Sequence, residues 1–268
     1  MREIRYVILD PTGNLTALVL DPVSGEERTR ITAALMDRCE QVGYLCSPEK
    51  PGVRARLQMM GGEFCGNASM AAAVYLAAGD GLQEDRETEI ILEVSGADTP
   101  VACRARREKA GWRGTVQMPA LQKMTDCRIR GRQLKAVFFP GMVHLIWDGD
   151  PLSGEEAEMT LRKAGELFSE PAAGLLQWRE TAREAGEMTP LVWVRESKTM
   201  VWETACGSGT AAIACWKSLS RGQTAGVSVS QPGGILRAEA EWSCGKAGRI
   251  LLSGTVRLGE EQKLVLPA

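Results

Sequence analysis

Apolar and polar positions along this chain alternate between two spacings. Short β-branched or alternating runs at 4–10 and 15–20 predict strands, with turn residues at 11–14 between them. Residues 26–42 carry apolar positions at helical spacing and predict an amphipathic helix. Further strands are predicted at 89–94, 100–106, 114–118, 134–139, 143–147, 191–195 and 199–202, and a further helix at 153–168 with Ser153 as its N-cap. The pattern is typical of a mixed α+β chain.

Two more helical segments lack a polar face. The first spans 65–78 and the second begins at Cys206, and both are rich in alanine. A helix that is apolar all round belongs at the centre of a domain. Each follows a strand and a Cys-Gly-polar turn, and the two cysteines are 141 positions apart, about half the chain. A repeated strand–turn–helix unit predicts two halves built on one plan.

The polar stretch 122–133 is the predicted boundary between these halves. We therefore expect an N-terminal domain at 1–127 and a C-terminal domain at 128–268, with the last strand as an element that could return to the first domain. The length of 268 residues suits two domains.

Composition and charge exclude several classes of function. The chain has 32 basic and 34 acidic residues, so there is no excess of positive charge to bind a nucleic acid. No apolar run approaches the roughly 18 residues of a membrane span, and no signal peptide is visible, so we expect a cytoplasmic protein. A single histidine and the lack of paired C-x-x-C spacing predict no metal site.

The cysteines at the two helix starts are candidates for chemistry. A helix N-terminus carries free N–H groups and a positive partial charge, which lower the pKa of a thiol and bind a carboxylate. If the two turns face one cavity, a thiolate at Cys65 or Cys206 removes an α-proton and the opposite thiol returns one. N–H donors aimed at the carboxylate stabilise the charge that develops on it. The expected substrate-holding groups are Gly66, Asn67, Gly207 and Ser208.

This pattern predicts an amino-acid racemase or epimerase that uses no cofactor, since no lysine lies in a phosphate-binding glycine-rich setting. The other six cysteines and His144 are assigned to packing. A redox disulfide between Cys65 and Cys206 is the alternative for the pair.

Two segments, 62–68 and 205–209, resemble the signature motifs of the diaminopimelate epimerase superfamily. The resemblance implies two pseudo-symmetric domains, each a mixed or antiparallel sheet rolled around a central helix, with the active site in the cleft between them. It also implies one catalytic cysteine per domain, substrate contacts by Asn14 and Gln58, and a homodimer.

The sequence departs from that family where the distal end of diaminopimelate is bound. The stretch 197–204 lacks the Glu-Arg pair and the glycines, and Met142 stands where the family has an asparagine. A site without those polar groups should bind diaminopimelate poorly. The compact first motif is more similar to the histidine racemases of this superfamily, so histidine is the expected substrate. Glu203 is expected to meet its cationic group, with Trp202 and Met142 suited to a planar side chain.

Three alternatives stay open at this stage. The first is a diaminopimelate epimerase or a racemase of another amino acid. The second is an isomerase that shifts a proton in an unsaturated acid. The third is an amino-acid-binding protein with a degenerate site, although such a protein would not need both thiols.

Overall fold

The computed structural model describes residues 2–266, which divide into two compact units. Unit 1 contains the described residues up to Gln117 together with those from Ser253 onward, and unit 2 is Met118–Leu252. The boundary thus lies ten residues before the expected one at 127/128. The chain from Ser253 onward belongs to unit 1, which is the return to the first domain that the sequence left open.

Within the described residues, unit 1 is a sheet of eight strands with two helices. Its strands are β1 (Arg2–Pro11), β2 (Thr16–Val19), β3 (Gln41–Cys46), β4 (Ala55–Met59), β5 (Glu87–Val94), β6 (Val101–Glu108), β7 (Gly111–Gln117) and the later part of β16 (Lys246–Leu266). Its helices are α1 (Gly25–Leu35) and α2 (Gly66–Gly79). The strands follow the order β1 to β7 and then β16, and β16 also pairs with β1. The strand order therefore closes on itself.

Helix α2 packs against β1, β2, β5, β6 and β7 of this sheet. Its side chains are small, and all but a few are buried, because strands surround it on several sides. Gly114 on β7 permits the closest approach, since a Cβ there would lie 2.7 Å from the Cβ of Met70. Although α2 is apolar, no helix within residues 2–266 has the length and apolar character needed to cross a membrane.

Unit 2 repeats this arrangement with its own strands and helices. Its strands are β8 (Lys123–Ile129), β9 (Arg132–Phe139), β10 (Met142–Asp148), β11 (Ala172–Ala182), β12 (Ala185–Val194), β13 (Thr199–Trp202), β14 (Ala225–Gln231), β15 (Gly234–Ser243) and the early part of β16. Its helices are α3 (Gly154–Leu167) and α4 (Gly207–Arg221). The order is β16-β15-β14-β12-β11-β10-β9-β8, with β13 paired to β12. Helix α4 packs on β9, β10, β14 and β15.

The strand directions show that the two units share one topology. In unit 1, β1–β2 is antiparallel, β2–β3 parallel, β3–β4 antiparallel and β4–β5 parallel. In unit 2 the same alternation runs through β9, β10, β11, β12 and β14. Helices α2 and α4 occupy matching places, each between the fourth and fifth strands of its series. The predicted α+β fold with two halves built on one plan is confirmed.

Two predicted elements differ from the structure. Helix α1 ends at Leu35, and residues 41–42 of the predicted helix belong to β3. The apolar Val42 fits the buried face of a helix or of a strand equally well, so the sequence pattern does not separate the two. The polar stretch 122–133 is not a linker but most of the β8–β9 hairpin. Strand β8 is last in the strand order, so most of its side chains are solvated. The sequence of such an edge strand is polar and therefore resembles that of a linker. The predicted helix at 153–168 is confirmed, with Ser153 as its N-cap.

Candidate active site

Cys65 is the N-cap residue of α2 in unit 1. Its backbone is extended, with φ −128° and ψ 112°, and its Sγ accepts the N–H of Ala68 at 3.4 Å. The hydroxyl of Ser69 donates to the carbonyl oxygen of Cys65 at 2.7 Å. The sulfur of the half-buried Cys65 therefore lies against the first turn of the helix, at the N–H of Ala68.

A polar cluster contacts the Cys65 thiol from the preceding strands. The thiol donates to Oε1 of Gln41 at 3.1 Å. The amide nitrogen of Gln41 donates to the side-chain oxygen of Asn14 and to Oγ1 of Thr16, the latter at 2.8 Å. Asn14 in turn donates to Oε2 of Glu40 at 2.7 Å. The predicted site residue Asn14 is thus joined to Cys65 through Gln41.

Cys206 is the N-cap residue of α4 in unit 2, in the same local geometry. Its φ is −104° and its ψ 105°, and its Sγ accepts the N–H of Gly209 at 3.4 Å. The N–H of Cys206 donates to Oε1 of Gln231 at 2.7 Å, and Gln231 donates to Oγ1 of Thr210 at 3.0 Å. Cys206 is only 4% exposed, so its backbone and sulfur are held in a buried polar setting.

His144 lies behind this second thiol. Its Nε2 is 2.8 Å from the hydroxyl oxygen of Ser208, and that oxygen is 3.6 Å from Sγ of Cys206. The imidazole is fully buried, and burial lowers its pKa to about 3, so it is neutral. Gly174 leaves room for the ring, since a Cβ there would lie 2.5 Å from Nδ1. The histidine assigned to packing by its sequence context is therefore hydrogen-bonded to a residue that contacts Cys206.

The expected lowering of thiol pKa at a helix N-terminus is wrong for Cys206. Burial raises its pKa well above the usual value for a thiol, and the neighbouring Glu203 carboxylate raises it further. The Ser208 hydroxyl and the Gly209 N–H act in the opposite direction, but they are outweighed. Burial removes the hydration that stabilises a thiolate, and the two hydrogen bonds from Ser208 and Gly209 stabilise the thiolate less than that hydration would.

Of the other predicted site residues, Glu203 lies at a catalytic thiol candidate whereas Gln58 lines a surface depression. The half-buried Glu203 lies beside the Cys206 sulfur, to which it is hydrogen-bonded. Gln58 lies on β4, two residues after the partly exposed Arg56, and both side chains line a surface depression of about 160 Å³ with Glu93. The amide that contacts Cys65 is that of Gln41.

Sequence reasoning missed Gln41 and the role of His144. The available signal is that Gln41 is the first residue of the apolar strand β3, where a polar side chain that becomes buried needs a partner. Across residues 2–266, no group of three or more His, Cys, Asp or Glu side chains is placed to hold a metal ion.

Comparison with known proteins shows that almost the whole chain matches one protein family. Residues 3–264 match the family described as the histidine racemase CntK N-terminal domain. A histidine racemase of Staphylococcus aureus is 28% identical over 252 residues, which cover 87% of each chain. A histidine racemase of Fusobacterium nucleatum subsp. nucleatum is 28% identical over 249 residues, covering 88% of this chain and 89% of that one.

Among solved structures, a Bacillus anthracis phenazine biosynthesis protein of the PhzF family has a similar fold. Its TM-score is 0.74 at 13% identity, with 99% of this chain and 100% of that chain covered. At that identity the likeness concerns the fold alone.

Proposed function

The chain belongs to the family described as the histidine racemase CntK N-terminal domain, and from that premise we propose that it racemises histidine through the thiols of Cys65 and Cys206. It is an amino-acid racemase, and so an isomerase. The observation that carries the proposal is the repeated N-cap cysteine. In each unit, a buried helix begins with a cysteine whose sulfur accepts a first-turn N–H at 3.4 Å.

The helix starts supply what the reaction needs besides a base. The substrate carboxylate would be bound by first-turn N–H groups, because a helix N-terminus carries a positive partial charge and directs N–H donors at an anion. Negative charge builds on that carboxylate as the α-proton leaves, and N–H groups already aimed at it stabilise the transition state. We assign this role to Gly66, Asn67, Gly207 and Ser208.

The two thiols divide the proton transfer between the faces of the α-carbon. One sulfur, as thiolate, takes the α-proton, and the other, as thiol, gives its proton to the opposite face, so the configuration inverts and no net proton is consumed. The proposal requires one substrate to contact both sulfurs. It assigns the substrate ammonium to the neighbourhood of Glu203 and Asn14, while the role of Gln58 stays a prediction from the resemblance.

The raised pKa of Cys206 is compatible with this chemistry when substrate is bound. A cationic ammonium close to Glu203 offsets the negative charge that raises the thiol pKa, and an opposite charge nearby favours the thiolate. The thiolate would then form in the complex and not in the free protein.

Both cysteines must stay reduced to work in this way, so we also propose a reducing, cytoplasmic location. All eight cysteines lie within the described residues, where none of them forms a disulfide. The expected independence from pyridoxal phosphate belongs to the same proposal, because the thiols and N–H groups supply the base, the acid and the charge stabilisation. The homodimer remains an expectation from the resemblance.

Chiral chromatography of a panel of amino acids tests the proposal. The purified protein, with no added cofactor, is incubated with L- and D-histidine, diaminopimelate and other amino acids. Racemisation of histidine is expected, and it should fall at least about 10³-fold in Cys65→Ser and Cys206→Ser. Cys244→Ser is the matched control, since Cys244 is an exposed cysteine on another part of the chain. Histidine turnover that survives either active-site substitution, or no turnover of any amino acid, would refute the assignment.

A further inference from the structure

A chain of polar side chains in unit 1 runs from an exposed carboxylate to the Cys65 sulfur. Glu40 accepts from Asn14, Asn14 accepts from Gln41, and Gln41 accepts from Cys65. Asn14 is 7% exposed and Gln41 is 9% exposed, so neither amide can easily exchange these partners for water. Glu40 and Thr16 fix the donor and the acceptor in each of these hydrogen bonds.

The Glu40 end fixes the first amide. An ionised carboxylate only accepts hydrogen bonds, so Asn14 must turn its NH₂ group toward Glu40. Its side-chain oxygen then faces Gln41. Because that oxygen only accepts, Gln41 must present its own NH₂ group to Asn14.

Thr16 fixes the same orientation of Gln41 independently. The Thr16 hydroxyl is fully buried and donates its one proton to the backbone carbonyl of Asn14 at 3.1 Å. It is therefore left as an acceptor toward the Gln41 nitrogen, 2.8 Å away. A reversed Gln41 amide would place two acceptors against each other at both Asn14 and Thr16.

With Gln41 held in this way, its carbonyl oxygen faces the Cys65 sulfur at 3.1 Å. A thiol can donate to that oxygen, whereas a thiolate would meet its lone pairs. We propose that the Glu40–Asn14–Gln41 chain holds Cys65 as the protonated thiol in the free protein, with Gln41 as the positioning residue. Two carboxylates lie on the adjoining segments of unit 1. The Glu40 carboxylate is at the outer end of the hydrogen-bonded series, and the Glu63 carboxylate lies beside Gly61.

For the reaction, the inference rests on the function proposed above and gives the two thiols different starting roles. Cys206 first releases its thiol proton to solvent as the substrate binds. Its thiolate then forms an S–H bond with the α-proton, and the broken C–H bond leaves its electron pair on the α-carbon. The S–H bond of Cys65 then breaks, its proton forms the new C–H bond, and the electron pair stays on the Cys65 sulfur. The thiolate so produced faces the Gln41 carbonyl, and it takes a proton from solvent before the next cycle. Because the two enantiomers are equal in free energy, the other enantiomer is turned over by the same steps in reverse, with the Cys65 thiolate as the base.

The pH dependence of Cys65 alkylation in the free protein tests this directly. The rate of modification by iodoacetamide is followed at Cys65 by peptide mass spectrometry from pH 5.5 to 10, because only the thiolate reacts. The pH midpoint reports ionisation separately from the limiting rate, which reports access. Gln41→Met removes the accepting carbonyl at similar size, and Glu40→Gln removes the group that fixes the direction of the chain.

In Gln41→Met we expect the midpoint for Cys65 to fall by about one pH unit, so that its alkylation at pH 7 is about tenfold faster. In Glu40→Gln we expect a smaller gain of about threefold, because Thr16 still holds the Gln41 amide. Asp37→Asn, which removes another exposed carboxylate three residues earlier, is the matched control and should leave the midpoint unchanged.

Circular dichroism verifies that each variant is folded. If Gln41→Met is not folded, Glu40→Gln decides alone, since Glu40 is exposed and its substitution leaves the core intact. An unchanged or higher midpoint in the folded variants would overturn the inference. So would an equal fall in Asp37→Asn, because loss of net charge would then be the cause. Racemisation is not part of this measurement, so a failure of the proposed function would leave its result standing.

Discussion

The single histidine of the chain carries a pH dependence of stability. Its pKa is about 3 in the folded protein and about 6.5 when unfolded, because burial penalises the imidazolium. The unfolded chain therefore binds the extra proton first as the pH falls. The stabilisation that this imparts is complete above about pH 6.5 and is lost progressively down to about pH 3.

We predict that the titration of His144 alone lowers the free energy of unfolding by about 2 kcal/mol when the pH is lowered from 7 to 5. His144→Asn should be less stable at pH 7, through lost packing, but should lack this component while keeping an amide near Ser208. Urea unfolding of both proteins at the two pH values measures the difference. An equal loss in the variant would show that the imidazole is not the group that titrates.

The two polar neighbours of Cys206 should move its ionisation in opposite directions. Ser208→Ala removes a donor to the sulfur, so the thiol pKa should rise and alkylation of Cys206 should begin at higher pH. Glu203→Gln removes a negative charge that raises the pKa, so alkylation should begin at lower pH. The pH profile of Cys206 alkylation in denaturant-free buffer gives both signs. Shifts in the same direction would contradict the electrostatic account of this site.

At this scale the sequence predicted the cysteines and missed their partners. Cys65 and Cys206 stood out because each begins an apolar helix after a Gly-containing turn. Gln41 and His144 are far from them along the chain, and only the strand pairing brings them to the thiols. The lowered pKa expected at Cys206 failed for a related reason, since a helix N-terminus is visible in the sequence whereas burial and Glu203 act through the folded structure.

The central helices of the two units are elements whose fit depends on small residues. Gly114 on β7 lies so close to α2 that an added methyl group would be 2.7 Å from Met70. At Gly79, at the end of the same helix, a Cβ would have no atom within 4 Å apart from its chain neighbours and the backbone of its own helix, and the backbone there is one that alanine adopts readily.

We predict that Gly114→Ala lowers the free energy of unfolding by about 1–3 kcal/mol through overpacking. Gly79→Ala is the matched control and should be neutral or slightly stabilising, because alanine restricts the unfolded chain. Urea denaturation compares the two. Equal effects would mean that α2 and β7 are less tightly packed than the structure indicates.

Elements with a clear period were predictable and those with an ambiguous period were not. The apolar segments at 65–78 and after 206 and the capped helix at 153–168 are confirmed, with α2 beginning at Gly66. The segment 26–42 failed at its end, since a few apolar residues fit either a helix or the start of β3. The sequence predicts a boundary at β8 because a solvated edge strand has no buried face that would mark it as a strand.

For the whole molecule, the return of the last strand to unit 1 has a consequence for stability. Val256 on β16 is 1% exposed and pairs with Pro11 of β1, so it belongs to the core of unit 1 although it is near the end of the sequence. Val229 on β14 is fully buried in unit 2. Each unit has its own hydrophobic core.

We predict that Val256→Ala reduces hydrogen-exchange protection in β1 and β2 by the equivalent of about 1–3 kcal/mol, with little change in β9 and β10. Val229→Ala, the matched substitution in unit 2, should show the reverse pattern. Native-state hydrogen exchange resolved by peptide measures both. If either substitution lowered protection equally in both units, the division of the chain into these units would not describe its stability.

The repeat of 141 residues made the two-unit plan predictable, because duplicated motifs imply duplicated surroundings. The exact division was not predictable in the same way. The expected division at 127/128 rests on a polar stretch that is the β8–β9 hairpin. The return of the last strand to unit 1, which the sequence leaves open, is decided by its backbone pairing with β1.

The central claim, that two thiols act on opposite faces of one α-carbon, is tested most directly in heavy water. L-Histidine is incubated with the protein in D₂O, and the deuterium content of each enantiomer is measured by mass spectrometry after chiral separation at less than about 5% conversion. We predict that the D-histidine formed carries one α-deuterium from the start, while the remaining L-histidine is unlabelled, because each face has its own acid or base. Deuterium appearing equally early in both enantiomers would indicate a single base and contradict the account.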